Sequence, residues 1–155
     1  MARREANEAE RDYLKMIQAI IDRMARCSFL IKGWCITIVA AILALNVKDT
    51  KPWFSAAAFL AVLVFWILDS YYLRQERLFR ALYNKAIGEL DLPLSGRTLP
   101  LFSMKTKDFE KDVASWFCVA WSRTIWPLYL LVFLVVLVVT AFSIGFLHKT
   151  HFFCF

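Results

Sequence analysis

The feature that most constrains this chain is Ile125–Phe146, 22 consecutive residues without a charge, whose middle reads LLVFLVVLVV. As a helix rising about 1.5 Å per residue, such a run spans roughly 33 Å. The hydrocarbon core of a bilayer is about 30 Å thick. A helix is the one single-segment structure that satisfies its own backbone polar groups where no water can reach them. Two further runs join it. Phe29–Val47 (FLIKGWCITIVAAILALNV) is long enough to span and carries a single charge, Lys32. Trp53–Leu68 has no charge. Its 16 residues reach roughly 24 Å, and Tyr71, Tyr72 and Leu73 lengthen it beyond Asp69.

Composition agrees. Of 155 residues, 60% are hydrophobic and 16% aromatic, and the mean hydropathy is +0.53. Ordinary globular domains are about 45–50% apolar, so a soluble core does not absorb this excess, and the apolar content also excludes disorder. Only four Gly and four Pro are present, which favours long helices over turn-rich sheets. The expected fold is an all-α integral membrane protein with three transmembrane helices and helical cytoplasmic extensions, assembled as an oligomer.

The first 28 residues are charged throughout and lack the short apolar region of a secretory leader. The first span is therefore expected to act as its own insertion signal. Lys and Arg set the orientation. Residues 1–28 hold six, Arg3, Arg4, Arg11, Lys15, Arg23 and Arg26, and residues 69–124 hold nine. The connection between the first two spans holds two and the tail one, Lys149. Basic residues mark the cytoplasmic side. The N-terminus is thus expected in the cytosol and the C-terminus outside. Trp53, Trp66, Trp121 and Trp126 fall near segment ends, where amphipathic rings favour the interface.

The expected organisation is a cytoplasmic amphipathic helix over 1–28, spans at 29–47 and 53–68, a cytoplasmic helical region over 69–124 with a basic loop at 91–107, a third span at 125–146, and an external tail at 147–155. In the first helix Tyr13, Ile17, Ile20, Met24 and Cys27 share one face, and Lys15, Gln18, Asp22 and Arg26 the other. This helix should run straight into the first span. Helical period returns over Ser70–Ile87, with Leu78, Phe79, Leu82, Tyr83, Ala86 and Ile87 on the buried side. Gly88 can end that helix. Residues 91–107 contain Pro93, Gly96 and Pro100 and read as an extended connection. Thr106 then predicts the N-cap of another helix, with Asp108 and Glu110 meeting its positive dipole end. Phe109, Val113, Trp116, Phe117 and Ala120 give it an apolar face, and Pro127 permits a kink where it enters the third span.

Catalytic machinery is not expected. His148 and His151, the only histidines, lie on the tail without a third metal ligand nearby. Cys27, Cys35, Cys118 and Cys154 form neither a C-x-x-C motif nor a disulfide framework. No Gly-rich phosphate loop exists, and no nucleophile has a base partner nearby in sequence. Asp108, Glu110 and Asp112 cluster where helix-dipole complementation explains them. No catalytic residue, metal ligand or cofactor is assigned.

Two ionisable groups lie at membrane depth. In a hairpin centred near Asp49–Thr50, Lys32 mirrors Ile67, which places Lys32 and Asp69 at nearly one height. They read either as an ion pair near the interface, with the lysine snorkelling, or as a charged ring at the mouth of an oligomeric pore. Gly33, Thr37 and Ala41 follow at i, i+4, i+8, with Ala40 and Ala44 beside them. Small residues at this spacing let helices approach closely, within one subunit, between subunits or along a pore. Three spans do not easily enclose an aqueous path, so a pore requires several copies around an axis. Lys32, Thr37, Ala41 and Asp69 are the candidate conduction residues.

The candidate ligand surface is Arg74, Arg77, Arg80, Lys85, Arg97, Lys105 and Lys107, a stretch where Glu76, Glu89 and Asp91 are the only acids. Spaced cations of this kind meet the phosphates of a single-stranded nucleic acid or anionic lipid headgroups. Local spacing does not separate the two.

The runs DRMARCSFLIKGW at 22–34 and FWILDSYYLRQERLFRALY at 65–83, with SMKTKDF at 103–109 as a weaker echo, resemble the HalA-like membrane effectors of the Hailong anti-phage defence system. The resemblance covers Tyr13–Asn84 best, plus the start of the segment before the third span. It implies a tetrameric membrane pore, held inhibited by short single-stranded DNA oligomers that a partner nucleotidyltransferase makes. The oligomers bind an electropositive cytosolic surface, and their destruction by phage nucleases releases a channel that harms the infected cell. The 91–101 loop and the tail HKTHFFCF are outside the resemblance. The alternative expectation is a non-conducting membrane scaffold that recruits a soluble partner. An intramembrane enzyme is disfavoured by the missing catalytic groups.

Overall fold

A computed structural model describes residues 2–48, 51–90, 100 and 102–152. It consists of helix α1 (Ala2–Lys48), helix α2 (Pro52–Leu90), a 3-10 turn (Lys107–Phe109), helix α3 (Trp116–Ala120) and helix α4 (Trp126–Phe152). Among the described residues there is no strand. Three of the helices contain stretches long and apolar enough to cross a membrane, within Glu8–Asn46, Trp53–Glu89 and Trp126–Ser143. Most of each stretch faces outward. Trp34, Trp53, Leu60, Leu131 and Phe142 are all exposed, which is tolerable only if lipid covers them. The chain is an all-helical membrane protein.

It divides into two units. Unit 1 comprises Met1–Ser28 and Tyr71–Trp116; unit 2 comprises Phe29–Ser70 and Phe117–Phe155. α1 and α2 each contribute to both, and neither breaks at the change. No Gly or Pro lies in α1 between Ala2 and Gly33, and none in α2 between Pro52 and Gly88, so nothing in the sequence interrupts either ladder.

Unit 1 is held by a small core of Tyr13, Ile17, Leu78, Leu82, Ala86 and Phe109, with Leu14, Ile21, Phe79, Tyr83, Met104 and Val113 packed around it. The i, i+4 steps Tyr13–Ile17 and Leu78–Leu82–Ala86 are one stripe from each helix. The Tyr13 hydroxyl donates to the Ser103 carbonyl at 2.7 Å, and its ring meets Phe102 edge-on at 5.7 Å. These contacts fasten the segment that carries Lys105 and Lys107. Phe102 itself sits at φ 65°, the left-handed region that costs an ordinary residue free energy. The Tyr13 contacts hold it there.

Unit 2 buries Ile31, Cys35 and Val39 of α1, Ala58 and Val62 of α2, and Tyr129 and Val136 of α4. Asn46 Nδ2 donates to Ser55 Oγ at 3.0 Å. Thr140 Oγ1 lies 3.2 Å from the same oxygen and donates to the Val136 carbonyl at 2.7 Å. One residue from each helix thus meets in a part-buried polar clamp.

Four expectations are corrected. Gly88 does not end α2, which continues to Leu90; a helical Gly costs only about 1 kcal/mol. Ile87 is exposed rather than buried. No helix runs from Thr106 through Ala120. Thr106 caps only a single 3-10 turn and makes no side-chain capping bond, and Phe117 is 71% exposed. The apolar stripe is divided between two cores. Phe109 and Val113 pack in unit 1, whereas Val119 and Ala120 are buried in unit 2. A helix this short has little stability of its own to resist that division. Finally, Pro127 does not kink a helix. It lies in the first turn of α4, where a missing N–H leaves no bond unmade.

Candidate functional site

In unit 2, Lys32 and Asp69 meet. The ammonium hydrogen-bonds Oδ1 at 2.9 Å and lies 2.7 Å from Oδ2. Asp69 is fully buried, and the Lys32 side chain is 18% exposed. A lone carboxylate in such surroundings is very unfavourable, so the pair is the condition for either charge to stand there. Ser70, next to Asp69, turns its hydroxyl back to the Trp66 carbonyl at 2.7 Å.

Thr37 and Ala41 lie elsewhere. The buried face of α1 carries Ile31, Cys35 and Val39. At 100° per residue, Gly33, Thr37, Ala40, Ala41 and Ala44 fall on the opposite side, and all five are exposed. A Cβ built on Gly33 meets nothing within 4 Å. Thr37 Oγ1 satisfies itself on the Gly33 carbonyl at 3.0 Å. The four candidate conduction residues therefore form two groups, an internal ion pair and an outward small-residue face. Among the described residues, the small residues form no packing seam inside the subunit.

One turn before Asp69, aromatic rings join α2 to the start of α4. Trp66 Nε1 donates to the Ala120 carbonyl at 3.1 Å, and Tyr129 donates to the Phe65 carbonyl at 3.2 Å. Trp66 stacks on Tyr129 at 6.4 Å and meets Trp121 edge-on at 5.6 Å. The sequence gives no sign of these interhelix bonds, since tryptophans near segment ends mark only the interface. Asn46 and Thr140, polar residues inside apolar runs, were a legible sign of interhelical bonding.

In unit 1 the candidate ligand residues differ in freedom. Arg80 pairs with Glu76 at 2.7 Å, and Glu76 is largely buried. Lys85 lies 5.4 Å over the Phe109 ring, a cation–π contact. Arg74 is half-buried, its Nε without a hydrogen-bond partner. Arg77 is half-buried, and Lys105 and Lys107 are exposed. These three make no ion pair among the described residues. Arg77, Arg80 and Asn84 border an open recess of about 340 Å³, closed on its far side by Asp112 and Val113. Arg97 lies outside the described residues. The structure thus brings Arg77 and Arg80 together at one recess.

Among the described residues, no group of three His, Cys, Asp or Glu side chains converges as a metal site would require. In comparison with known proteins, the chain matches no protein-family model, no curated protein and no solved structure.

Proposed function

We propose that this chain is the subunit of a ligand-regulated homo-oligomeric pore in the bacterial inner membrane, acting as an anti-phage effector that short single-stranded DNA oligomers hold inhibited. The observation that carries the reading is the outward face of α1. Gly33, Thr37, Ala40, Ala41 and Ala44 are exposed together, a surface suited to close helix approach that none of the described residues of the same subunit fills. Copies meeting on that face surround an axis, and Thr37 and Ala41 stand nearest to it. Lys32 and Asp69 hold the hairpin that presents the face. Unit 1 supplies the cytosolic ligand surface, with Arg77, Lys105 and Lys107 as its free cations, Arg80 shared with Glu76, and Arg74, Lys85 and Arg97 flanking them. A functionally linked nucleotidyltransferase would supply the oligomers, and the resemblance described above gives the tetramer as the assembly.

A second reading has its own support. Lys32 and Asp69 neutralise each other inside the subunit, so they present no charged ring to a conduction path. That arrangement suits a non-conducting scaffold.

Ion leak from liposomes holding the purified protein, with and without short single-stranded DNA, tests both. Leak that DNA suppresses supports the regulated pore. Leak indifferent to DNA keeps the pore and removes the ligand. Folded, inserted protein that never leaks leaves the scaffold. The triple substitution Arg77→Glu, Lys105→Glu, Lys107→Glu should abolish suppression and preserve leak. Three lost phosphate contacts lower the log–log salt slope of binding by about 2. Suppression at unchanged affinity refutes the ligand assignment.

A further inference from the structure

Outside the ion pair and the small-residue face, unit 2 has an open apolar groove of about 210 Å³ where α2 meets the start of α4. Trp66, Trp121, Trp126 and Tyr129 form its upper walls, and Leu63 and Phe133 lie along its length. Phe59 backs Phe133 at 5.0 Å. From Trp126 to Phe133 the groove follows seven residues of α4, about 10 Å. That is some two-thirds of one leaflet's half of the hydrocarbon core, about 15 Å. The indole and phenol hydrogens of Trp66 and Tyr129 are already given to the Ala120 and Phe65 carbonyls. The lining that the groove presents is almost wholly apolar. A groove of this size, shape and dryness on a membrane helix suits a hydrocarbon chain and rejects water.

The turn that joins two of the groove's tryptophans carries a cation. Trp121 and Trp126 are the two ends of a tight turn, closed by bonds from Ile125 N and Trp126 N to the Ser122 carbonyl at 3.0 Å each. Arg123 is carried on that turn, exposed and without an ion pair among the described residues. A guanidinium at the interface pairs bidentately with a phosphate diester. The stem of the same side chain can lie along the apolar rim.

We infer that this groove is a specific site for one anionic phospholipid, an acyl chain lying between Trp66 and Phe133 with its headgroup phosphate on Arg123. The site is independent of the pore reading and of which leaflet it faces.

Brominated lipids test it directly, because bromine on an acyl chain quenches indoles that it touches. The full chain carrying Trp34→Phe, Trp53→Phe and Trp116→Phe, which leaves the three groove indoles, is reconstituted into phosphatidylcholine vesicles. Dibrominated phosphatidylglycerol or dibrominated phosphatidylcholine is then titrated in. The groove predicts at least threefold stronger quenching by the glycerol lipid at equal mole fraction. Arg123→Gln should bring the two lipids to parity, and Leu63→Phe, which narrows the groove from an exposed position, should weaken quenching by both. Native mass spectra of the unsubstituted protein and of Arg123→Gln, released from mixed-lipid nanodiscs, provide a second readout without tryptophan changes. The retained ratio of glycerol to choline lipid should fall at least threefold in Arg123→Gln. Equal quenching by both lipids, a preference that survives Arg123→Gln, or an unchanged retained ratio each overturns the proposal. So does protection from both lipids with a disulfide-linked dimer of Leu130→Cys, which would give the groove to a second copy of the chain.

Discussion

Replacing Lys32 and replacing Asp69 should not be equally harmful, and the asymmetry is set by exposure. In Lys32→Met the carboxylate is left at zero exposure without its cation. Removing one partner of a buried pair costs about 3–5 kcal/mol. In Asp69→Asn the stranded group is the ammonium, which keeps 18% exposure and a flexible stem that carries it toward the interface. What is lost is a hydrogen bond between charged groups, about 1.5–3 kcal/mol. The double variant Lys32→Met, Asp69→Leu removes both charges and should lie within about 1 kcal/mol of the parent, since a buried pair replaced by apolar side chains is often neutral. Reversible unfolding in mixed micelles, followed by far-ultraviolet circular dichroism, measures all three. Equal costs for the two single variants, or single costs that simply add in the double variant, would refute the argument that burial of Asp69 controls this site.

Three further outcomes follow from the geometry. Tyr13→Phe removes one hydrogen bond to the Ser103 carbonyl and should cost about 1 kcal/mol, with hydrogen exchange rising at Ser103 and Met104 first. Asn46→Leu unmakes the α1–α2 part of the polar clamp; interhelical bonds of this type average about 0.6 kcal/mol, so unfolding should shift by no more than about 2 kcal/mol. Gly33→Ala meets open space in the subunit and gains up to about 1 kcal/mol of helix propensity, whereas Gly33→Leu should leave the subunit folded and lower its crosslinked oligomer yield severalfold. An oligomer yield unchanged in Gly33→Leu removes α1 from the interface.

The three spans were legible because the bilayer imposes a length and a charge rule that a sequence states openly. Lys32–Asp69 was legible for a related reason. A hairpin between two spans fixes their register by counting, and the count placed Lys32 within two residues of the level of Asp69. The role of that pair stayed open, because counting gives height and not direction around the helix. The division of 106–120 between two cores was not legible. Phe109, Val113, Trp116 and Ala120 have the spacing of one amphipathic helix, and periodicity does not say that two different partners claim the two ends of the stripe. The free cations were only partly legible. Glu76, the one acid among Arg74, Arg77, Arg80 and Lys85, neutralises Arg80 four residues on, a spacing that could be read directly. The seat of Lys85 over Phe109 needed the fold.

The polar groups of unit 2 explain why its outward face is free. Lys32–Asp69 and Asn46–Ser55 tie α1 to α2 at points 14 residues apart on α1, about 21 Å along its axis. Each tie turns the polar side of α1 inward, and lipid offers no hydrogen bond to draw it out again. The rotation of α1 about its own axis is therefore fixed at both ends by bonds that hydrocarbon does not compete for. The face opposite those ties is the one with Gly33, Thr37, Ala40, Ala41 and Ala44, whose single side-chain hydroxyl is already turned onto the Gly33 carbonyl. Association through that face has no polar bond to form and gains only from close packing. Its strength must then depend on side-chain volume rather than on charge or salt, which is why substitutions of size at Gly33, and not of charge at Lys32, are the ones that probe assembly.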